Sequence, residues 1–191
     1  SHGRWYEKIE IPLLGTHQIY NAATALEVLE IIKNYYCISE FQTEEGFRNT
    51  VWRGRLELLS EDPEIFCDGA HNPDGARCLA EFLRNNFTNK RIIYIMGVLA
   101  DKEYEQMLEE TAGIADCIYT VAPDNPRALS SRKLGEAAEK YCETVYIRKR
   151  LASCLEEVKE KAGKDDVIVI FGTLSFQKEL QGKEMWNDTR K

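Results

Sequence analysis

Asp68 and His71 stand three residues apart in Cys67-Asp68-Gly69-Ala70-His71-Asn72-Pro73, a stretch that leaves an apolar run and opens a helix. A carboxylate, a titratable ring and the free N–H groups of a helix start share this one turn, a combination that suits an anion next to a proton-transfer group. The alternative is an Asx-turn at Asp68 beside a histidine that only packs. In Trp52-Arg53-Gly54-Arg55-Leu56-Glu57 the glycine lets the backbone bend and present two guanidinium groups, against the alternative of a solvated basic turn. Ala100-Asp101-Lys102, Asp124-Asn125-Pro126-Arg127 and Gly172-Thr173-Leu174-Ser175 each follow an apolar run and add a cation or a hydroxyl. Taken singly, Lys102 and Arg127 read as solvated charges and Thr173 as a helix cap. His17-Gln18-Ile19-Tyr20-Asn21-Ala22 opens another helix, where polar first-turn residues are ordinary.

The elements that must position these residues follow from hydrophobic pattern. Ile65–Cys67, Ile92–Met96, Cys117–Ala122, Thr144–Ile147 and Val167–Phe171 are short, β-branched or aromatic and not alternating, as strands buried on both faces of a parallel sheet are. Between them, Ala76, Leu79, Ala80 and Leu83 mark one helical face, as do Leu134, Ala137, Ala138 and Tyr141, and Leu151, Cys154, Leu155 and Val158. Asn72 is the N-cap of the first of these helices and Pro73 its first residue. Lys102 to Gly113 is a weaker helix, with Tyr104, Met107 and Leu108 inward.

Arg55–Ser60 forms a further strand, turned by Glu61-Asp62-Pro63-Glu64 to pair antiparallel with Ile65–Cys67. Strand–helix alternation with short loops predicts an α/β fold: a Rossmann-like three-layer sandwich, its sheet mostly parallel with one antiparallel edge strand. Polar loops after four strands then lie on one edge of the sheet, where ligands of such folds bind. Ahead of it, Ala22, Ala25, Leu26 and Leu29 predict a helix from about His17 to Lys33, and a short one runs from Thr43 to Asn49. Two helices cannot close a core, so residues 1–49 are expected to be the tail of a preceding domain and 50–191 the α/β domain.

Composition sets limits. The chain has 191 residues, 43% hydrophobic and 30% charged, with a formal net charge of −7. That is enough apolar content for a core, and an acidic balance that argues against a nucleic-acid surface. No apolar run reaches the ~18 residues of a membrane span, and the first ten lack an apolar signal region. The six cysteines, irregularly spaced in apolar stretches, are expected to be free thiols of a cytoplasmic protein. Three histidines and no C-x-x-C or H-E-x-x-H pattern predict no metal site. Neither G-x-x-x-x-G-K-[ST] nor G-x-G-x-x-G occurs, so the chain carries no phosphate loop of its own and no dinucleotide fingerprint.

In order along the chain come Leu14-Gly15-Thr16-His17-Gln18-Ile19-Tyr20-Asn21-Ala22, Trp52-Arg53-Gly54-Arg55-Leu56-Glu57 and Asp68-Gly69-Ala70-His71-Asn72-Pro73. Met96-Gly97-Val98-Leu99-Ala100-Asp101-Lys102, Pro126-Arg127-Ala128 and Phe171-Gly172-Thr173-Leu174 follow. This set resembles the C-terminal part of the folylpolyglutamate synthases, often bifunctional with dihydrofolate synthase, in the Mur ligase superfamily. The resemblance runs from about Leu13 to Leu180. It implies an ATP-dependent ligase that adds L-glutamate to folate or dihydropteroate through an acyl phosphate, with this α/β domain as a lid on an N-terminal ATPase domain. That domain would hold the phosphate loop and the Mg²⁺ ligands, and the chain alone would be inactive.

The resemblance assigns Asn21, Arg55, Asp68 and His71 to ATP, and Lys102, Arg127 and Thr173 to the incoming glutamate. His71 and Lys102 are its catalytic candidates, and Thr173 replaces the family's usual serine. The peptidoglycan branch of the superfamily is the nearest alternative, because Asp124-Asn125-Pro126-Arg127 matches a motif of its diaminopimelate-adding members. Where those members carry a G-G-D-R-D-type segment this chain has Leu99-Ala100-Asp101-Lys102, which favours the folate branch. A stand-alone, non-catalytic module binding a nucleotide or small anion is the alternative from outside the enzymes.

Overall fold

The computed structural model describes residues 6, 8–33 and 35–181 and divides the chain into two compact units, Ser1–Trp52 and Arg53–Lys191. In the second unit six strands form one sheet in the order β1-β2-β6-β3-β4-β5. They are β1 (Glu57–Glu61), β2 (Glu64–Cys67), β3 (Arg91–Met96), β4 (Cys117–Thr120), β5 (Val145–Ile147) and β6 (Asp166–Phe171). Only the β1–β2 pair is antiparallel; β2, β6, β3, β4 and β5 run parallel. All six residues of β6 are buried, as a central strand covered on both faces requires.

Helices cover the two faces. On one, Phe66, Tyr94, Met96, Val169 and Phe171 meet Leu79 and Leu83 of α3 (Pro73–Asn86), Met107 and Leu108 of α4 (Tyr104–Thr111) and Leu134 of α5 (Ser131–Ala138). On the other, Ile93, Ile95, Ile168 and Ile170 meet Leu151, Leu155 and Val158 of α6 (Leu151–Lys161) and Phe176 of α7 (Ser175–Gln181). The expected three-layer α/β sandwich with one antiparallel edge pair is therefore what the chain forms. Fully burying each of these large side chains contributes roughly 1.5–3 kcal/mol against the entropy of ordering the chain.

Several element boundaries differ by one to three residues from the sequence expectation, and for two elements the reason is identifiable. The edge strand begins at Glu57 rather than Arg55, because Leu56 has a left-handed backbone (φ +46°) that cannot belong to a strand. In the first unit, α1 spans His17–Ile32 as expected, but α2 spans Glu40–Arg48 and starts earlier than predicted. Ser39 caps it, its hydroxyl accepting from Gln42 N–H at 3.2 Å while Gln42 Oε1 accepts from Ser39 N–H at 2.9 Å. This reciprocal capping box fixes the helix start three residues upstream of Thr43. Among the described residues no helix is long and apolar enough to cross a membrane.

Candidate functional site

Because β2, β6, β3 and β4 are parallel, the segments that follow them all leave from one sheet edge. The first is organised by Asp68, 6% exposed. Its Oδ1 accepts from Ala70 N–H at 2.7 Å and its Oδ2 from Leu56 N–H at 2.8 Å. Gly69 N–H donates to the Gly54 carbonyl at 2.7 Å, and Gly54 N–H donates to Glu57 Oε2 at 2.7 Å. One buried carboxylate thus clamps the Arg53-Gly54-Arg55-Leu56 loop onto the turn after β2. The clamp holds Leu56 in a conformation that costs an L-residue about 1–2 kcal/mol. Gly54 needs its glycine: φ is +67°, and a Cβ there would lie 1.8 Å from Gln177 Nε2. Half-buried Arg55 sits between these two left-handed residues.

His71 is half-buried, with Nδ1 2.8 Å from the Gly69 carbonyl. A carbonyl only accepts, so Nδ1 carries a proton and Nε2 is the ring nitrogen not engaged by the Gly69 carbonyl. Asn72 then caps α3, its Oδ1 accepting from Gly75 N–H at 2.8 Å, with Pro73 at the first helical position.

The loops after β3 and β4 are tied together by the Leu99–Ala128 bridge and by Ala100 N–H donating to the Arg127 carbonyl at 2.8 Å. This pairing brings Lys102 and Arg127 to a shared partner: Asp101 Oδ2 lies 3.9 Å from Lys102 Nζ and 3.5 Å from Arg127 Nη1. Both contacts are longer than a hydrogen bond, and the Arg127 side chain is 65% exposed. The two cations keep donors available for a better acceptor.

Asn125 links this pair to the last loop. Its Oδ1 accepts from Arg127 N–H at 2.9 Å, and its Nδ2 lies 3.4 Å from Ser175 Oγ. Thr173, 4% exposed, accepts from Ser175 N–H through Oγ1 at 3.1 Å and donates to Ser175 Oγ at 3.2 Å, so its hydroxyl organises the start of α7. Gly172 (φ +110°) allows this loop to approach β3, since a Cβ there would lie 2.3 Å from the Gly97 carbonyl. Glu179, its carboxyl pushed up chiefly by burial, accepts from Asp124 N–H at 2.9 Å and pins the preceding loop to α7.

Asn21 lies on α1 in the other unit, exposed, with Nδ2 donating to Gln18 Oε1 at 3.0 Å. Gln18 is 3% exposed, and its Nε2 lies 3.0 Å from His17 Nε2.

No group of three or more His, Cys, Asp or Glu side chains suited to a metal ion occurs among the described residues. All six cysteines are free, and burial raises the thiols of Cys67, Cys117 and Cys154, the last to about 12. Such thiols stay protonated and unreactive near neutral pH.

Residues 54–174 match a family model described as Mur ligase, glutamate ligase domain. The chain belongs to the Mur ligase family. Over 178 residues this Mur ligase domain and its helical lead are 33% identical to the Bacillus subtilis dihydrofolate synthase/folylpolyglutamate synthase, covering 92% of the chain and 41% of the relative. A diaminopimelate-adding muramoyl-peptide ligase of Caldanaerobacter subterraneus is 30% identical, with 87% of the chain and 35% of the relative covered. Among solved structures, Mycobacterium tuberculosis folylpolyglutamate synthase complexed with ADP superposes with a TM-score of 0.82 at 27% identity, covering 94% of the chain and 43% of that protein. The chain thus spans about two fifths of the length of these synthases.

Within the Mur ligase domain, the structure joins Asp68 to the Arg55 loop and to the His71 turn, Lys102 to Arg127, and Thr173 to the Asn125 loop. Sequence reasoning named Asp101 and Asn125 only as members of their motifs. Their roles as shared counter-ion and as bridge depend on pairings between loops, which no local pattern carries. Gln18 reads from the sequence as an ordinary polar first-turn residue beside Thr16, His17 and Asn21, and its burial carries no local signal.

Proposed function

We propose that this chain is the C-terminal part of an ATP-dependent ligase that joins L-glutamate to folate or dihydropteroate. In this reading a folate carboxylate oxygen attacks the γ-phosphorus of ATP, ADP leaves, and an acyl phosphate forms. The glutamate amine then attacks the acyl carbon, loses a proton and expels phosphate. Asn21 faces the purine, Arg55 the phosphates, and Asp68 the ribose or a bridging water while holding the Arg55 loop. His71 offers Nε2 near the transferred phosphate. Lys102 and Arg127 each take a glutamate carboxylate, displacing their long contacts to Asp101, and Lys102 also steadies charge at the reacting centre. Thr173 adds a hydroxyl-anchored helix start beside them.

The observation that carries the reading is the meeting of Lys102 and Arg127 on one carboxylate, 3.9 and 3.5 Å away, at the same sheet edge as the Asp68–His71 turn. A carboxylate already sits where a carboxylate substrate would bind.

The sequence carries no phosphate loop, and among the described residues no group of three or more His, Cys, Asp or Glu is placed for Mg²⁺, so both are assigned to a preceding ATPase domain, and the chain alone is inactive. The apolar exterior of the first unit, with Ile19, Val28, Ile31 and Phe41 at least half exposed, supports its being the end of that domain. The whole enzyme is assigned to the cytoplasm, where reduced thiols persist.

The test is Arg127→Ala in the longer enzyme, with amide formation followed for L-glutamate and for diaminopimelate. The expected result is ligation of glutamate to the folate acceptor, with the KM for glutamate raised about tenfold and that for ATP unchanged. Turnover with diaminopimelate and a muramoyl peptide would instead move the chain to the peptidoglycan branch. Equal small effects on both KM values would return Arg127 to the solvated surface.

A further inference from the structure

Three side chains around the start of α7 each occupy a place that a glycine leaves open. A Cβ on Gly54 would lie 1.8, 2.7 and 3.0 Å from Nε2, Cδ and Cγ of Gln177, so the Gln177 side chain lies where a side chain at position 54 would stand. Leu174 fills the same kind of place at Gly69, its Cδ2 2.3 Å from the position of a Cβ, and Phe176 does so at Gly97, its Cζ at 2.6 Å. Gly54 belongs to the loop of Arg55, Gly69 to the turn of Asp68, and Gly97 to the segment that leads from β3 to Lys102.

Gln177 N–H donates to the Leu174 carbonyl at 3.2 Å, so these two side chains lie one turn apart on the same side of the helix. They meet a matching pair of glycines, since Gly69 N–H donates to the Gly54 carbonyl at 2.7 Å. Glu179 stands about 200° around the helix from Gln177 and accepts from Asp124 N–H at 2.9 Å instead. One face of α7 thus holds the Arg55 side of the site, and another holds the loop that carries Arg127.

The place over Gly54 is the one that decides the loop. Gly54 is buried with φ +67°, and Leu56, two residues on, is left-handed as well. A glycine in such a loop has the most backbone freedom to lose on ordering. Gln177 Nε2 is buried and has no hydrogen-bond partner among the described residues. A buried donor without an acceptor adds no stability of its own, so what Gln177 supplies at Gly54 is occupied space.

We propose that Gln177 is a positioning residue, which fills the place over Gly54, fixes the loop of residues 53–55 and thereby sets the placement of Arg55. The inference rests on the reading that Arg55 meets the ATP phosphates. A loop given room at Gly54 holds its guanidinium less well against the phosphates, whereas the loop of Arg127 is tied through the other face of α7.

Two measurements test this. In the 191-residue chain, backbone amide exchange is followed by NMR. In Gln177→Ala the Leu56 and Gly69 amides, which close the loop onto Asp68 and Gly54, should exchange about tenfold faster relative to the β6 amides. The Ala70 amide, bonded to Asp68 within its own turn, should keep its rate. Gln177→Met, which refills the space without the amide, should keep all these rates. In the longer enzyme, the KM values for ATP and for L-glutamate are measured separately. Gln177→Ala is expected to raise that for ATP about fivefold and leave that for glutamate within about twofold, with Gln177→Met restoring the native ATP value. If Gln177→Ala does not fold, Gln177→Asn, one methylene shorter, withdraws the amide from Gly54 and takes its place. Unchanged Leu56 exchange, equal rises in both KM values, or a loss in Gln177→Met as large as in Gln177→Ala overturns the role of Gln177. An ATP KM that moves in Arg55→Ala but not in Gln177→Ala also overturns it, and leaves the reading of Arg55 in place. Faster loop exchange in Gln177→Ala, with the ATP KM unchanged there and in Arg55→Ala, removes the reading of Arg55 and this inference with it.

Discussion

The two units use the same kinds of residue to opposite ends. In the α/β unit, apolar side chains on both sheet faces disappear beneath helices: Tyr94, Ile95, Met96, Val169 and Phe171 are 0% exposed. Among the described residues of the helical unit the buried ones are Gln18, Thr43 and Phe47, while Ile19, Tyr20, Val28, Ile31 and Phe41 are 50–73% exposed. Its helices are nonetheless well made, α1 with 16 residues and α2 with a complete capping box. Local signals suffice to write a helix, whereas a core needs a second surface. Among the described residues the first unit has apolar residues all around α1 and no strand.

The contrast can be broken by paired truncations. Leu83→Ala, at 0% exposure on α3, removes side-chain atoms from the closed core and should cost about 2–5 kcal/mol in urea-induced unfolding. Ile31→Ala, at 64% exposure on α1, makes a similar chemical change and should stay within about 0.5 kcal/mol. Comparable losses in both variants would mean that Ile31 is buried in solution against something the chain itself provides.

A smaller effect sharpens the account of the α/β core. Tyr94 is 0% exposed, its ring edge-on to Phe171 at 5.0 Å between centroids, and among the described residues its hydroxyl has no hydrogen-bond partner. Burial pushes the phenol pKa up. An unpaired buried hydroxyl is a desolvation cost with no return, so Tyr94→Phe should raise stability by up to about 1 kcal/mol. A loss of stability would reveal a partner for the hydroxyl in solution.

Legibility in the sequence follows the range of the interactions. The β6 run Asp166–Phe171 was readable because burial on both faces leaves no polar position, and α3 was readable from Asn72, Pro73 and its apolar face. The turn after β2 was readable as a candidate site because its residues are adjacent. The start of β1 differs from the sequence reading because Leu56 adopts a left-handed backbone while its N–H donates to the carboxylate of a residue twelve positions away, Asp68. The Asp101 cation pair and the Asn125 bridge were hidden for the same reason: each joins loops from different strands. The capping box of α2 is the exception: Ser39 to Gln42 is a local signal, legible in the sequence itself.

The smallest expected effect concerns how each unit ties its surface. The helical unit's ion pairs include Lys33 with Glu30 and Arg48 with Glu45, each within one turn. In the α/β unit, Arg148 follows β5 and grips Glu157 of α6 through two contacts of 2.6 Å, and Lys161 adds a third at 2.7 Å. Its guanidinium also lies 5.5 Å from the ring centroids of Tyr119 and Tyr146, which stack on each other 4.7 Å apart. The Arg148 guanidinium, and after it the Lys161 ammonium, lower the Glu157 carboxyl to about 2. A folded-state value below the unfolded one stabilises the fold once pH exceeds the unfolded value, and that contribution fades as pH falls toward 2. Solvent screening at this partly exposed site holds the effect to less than about 1 kcal/mol. Stability measured by urea from pH 7 down to pH 2 should therefore fall slightly less steeply in Glu157→Gln than in the native sequence, the two curves converging at the acid end. Parallel curves over the whole range would mean that the β5–α6 tie carries no more weight than the one-turn pairs of the helical unit.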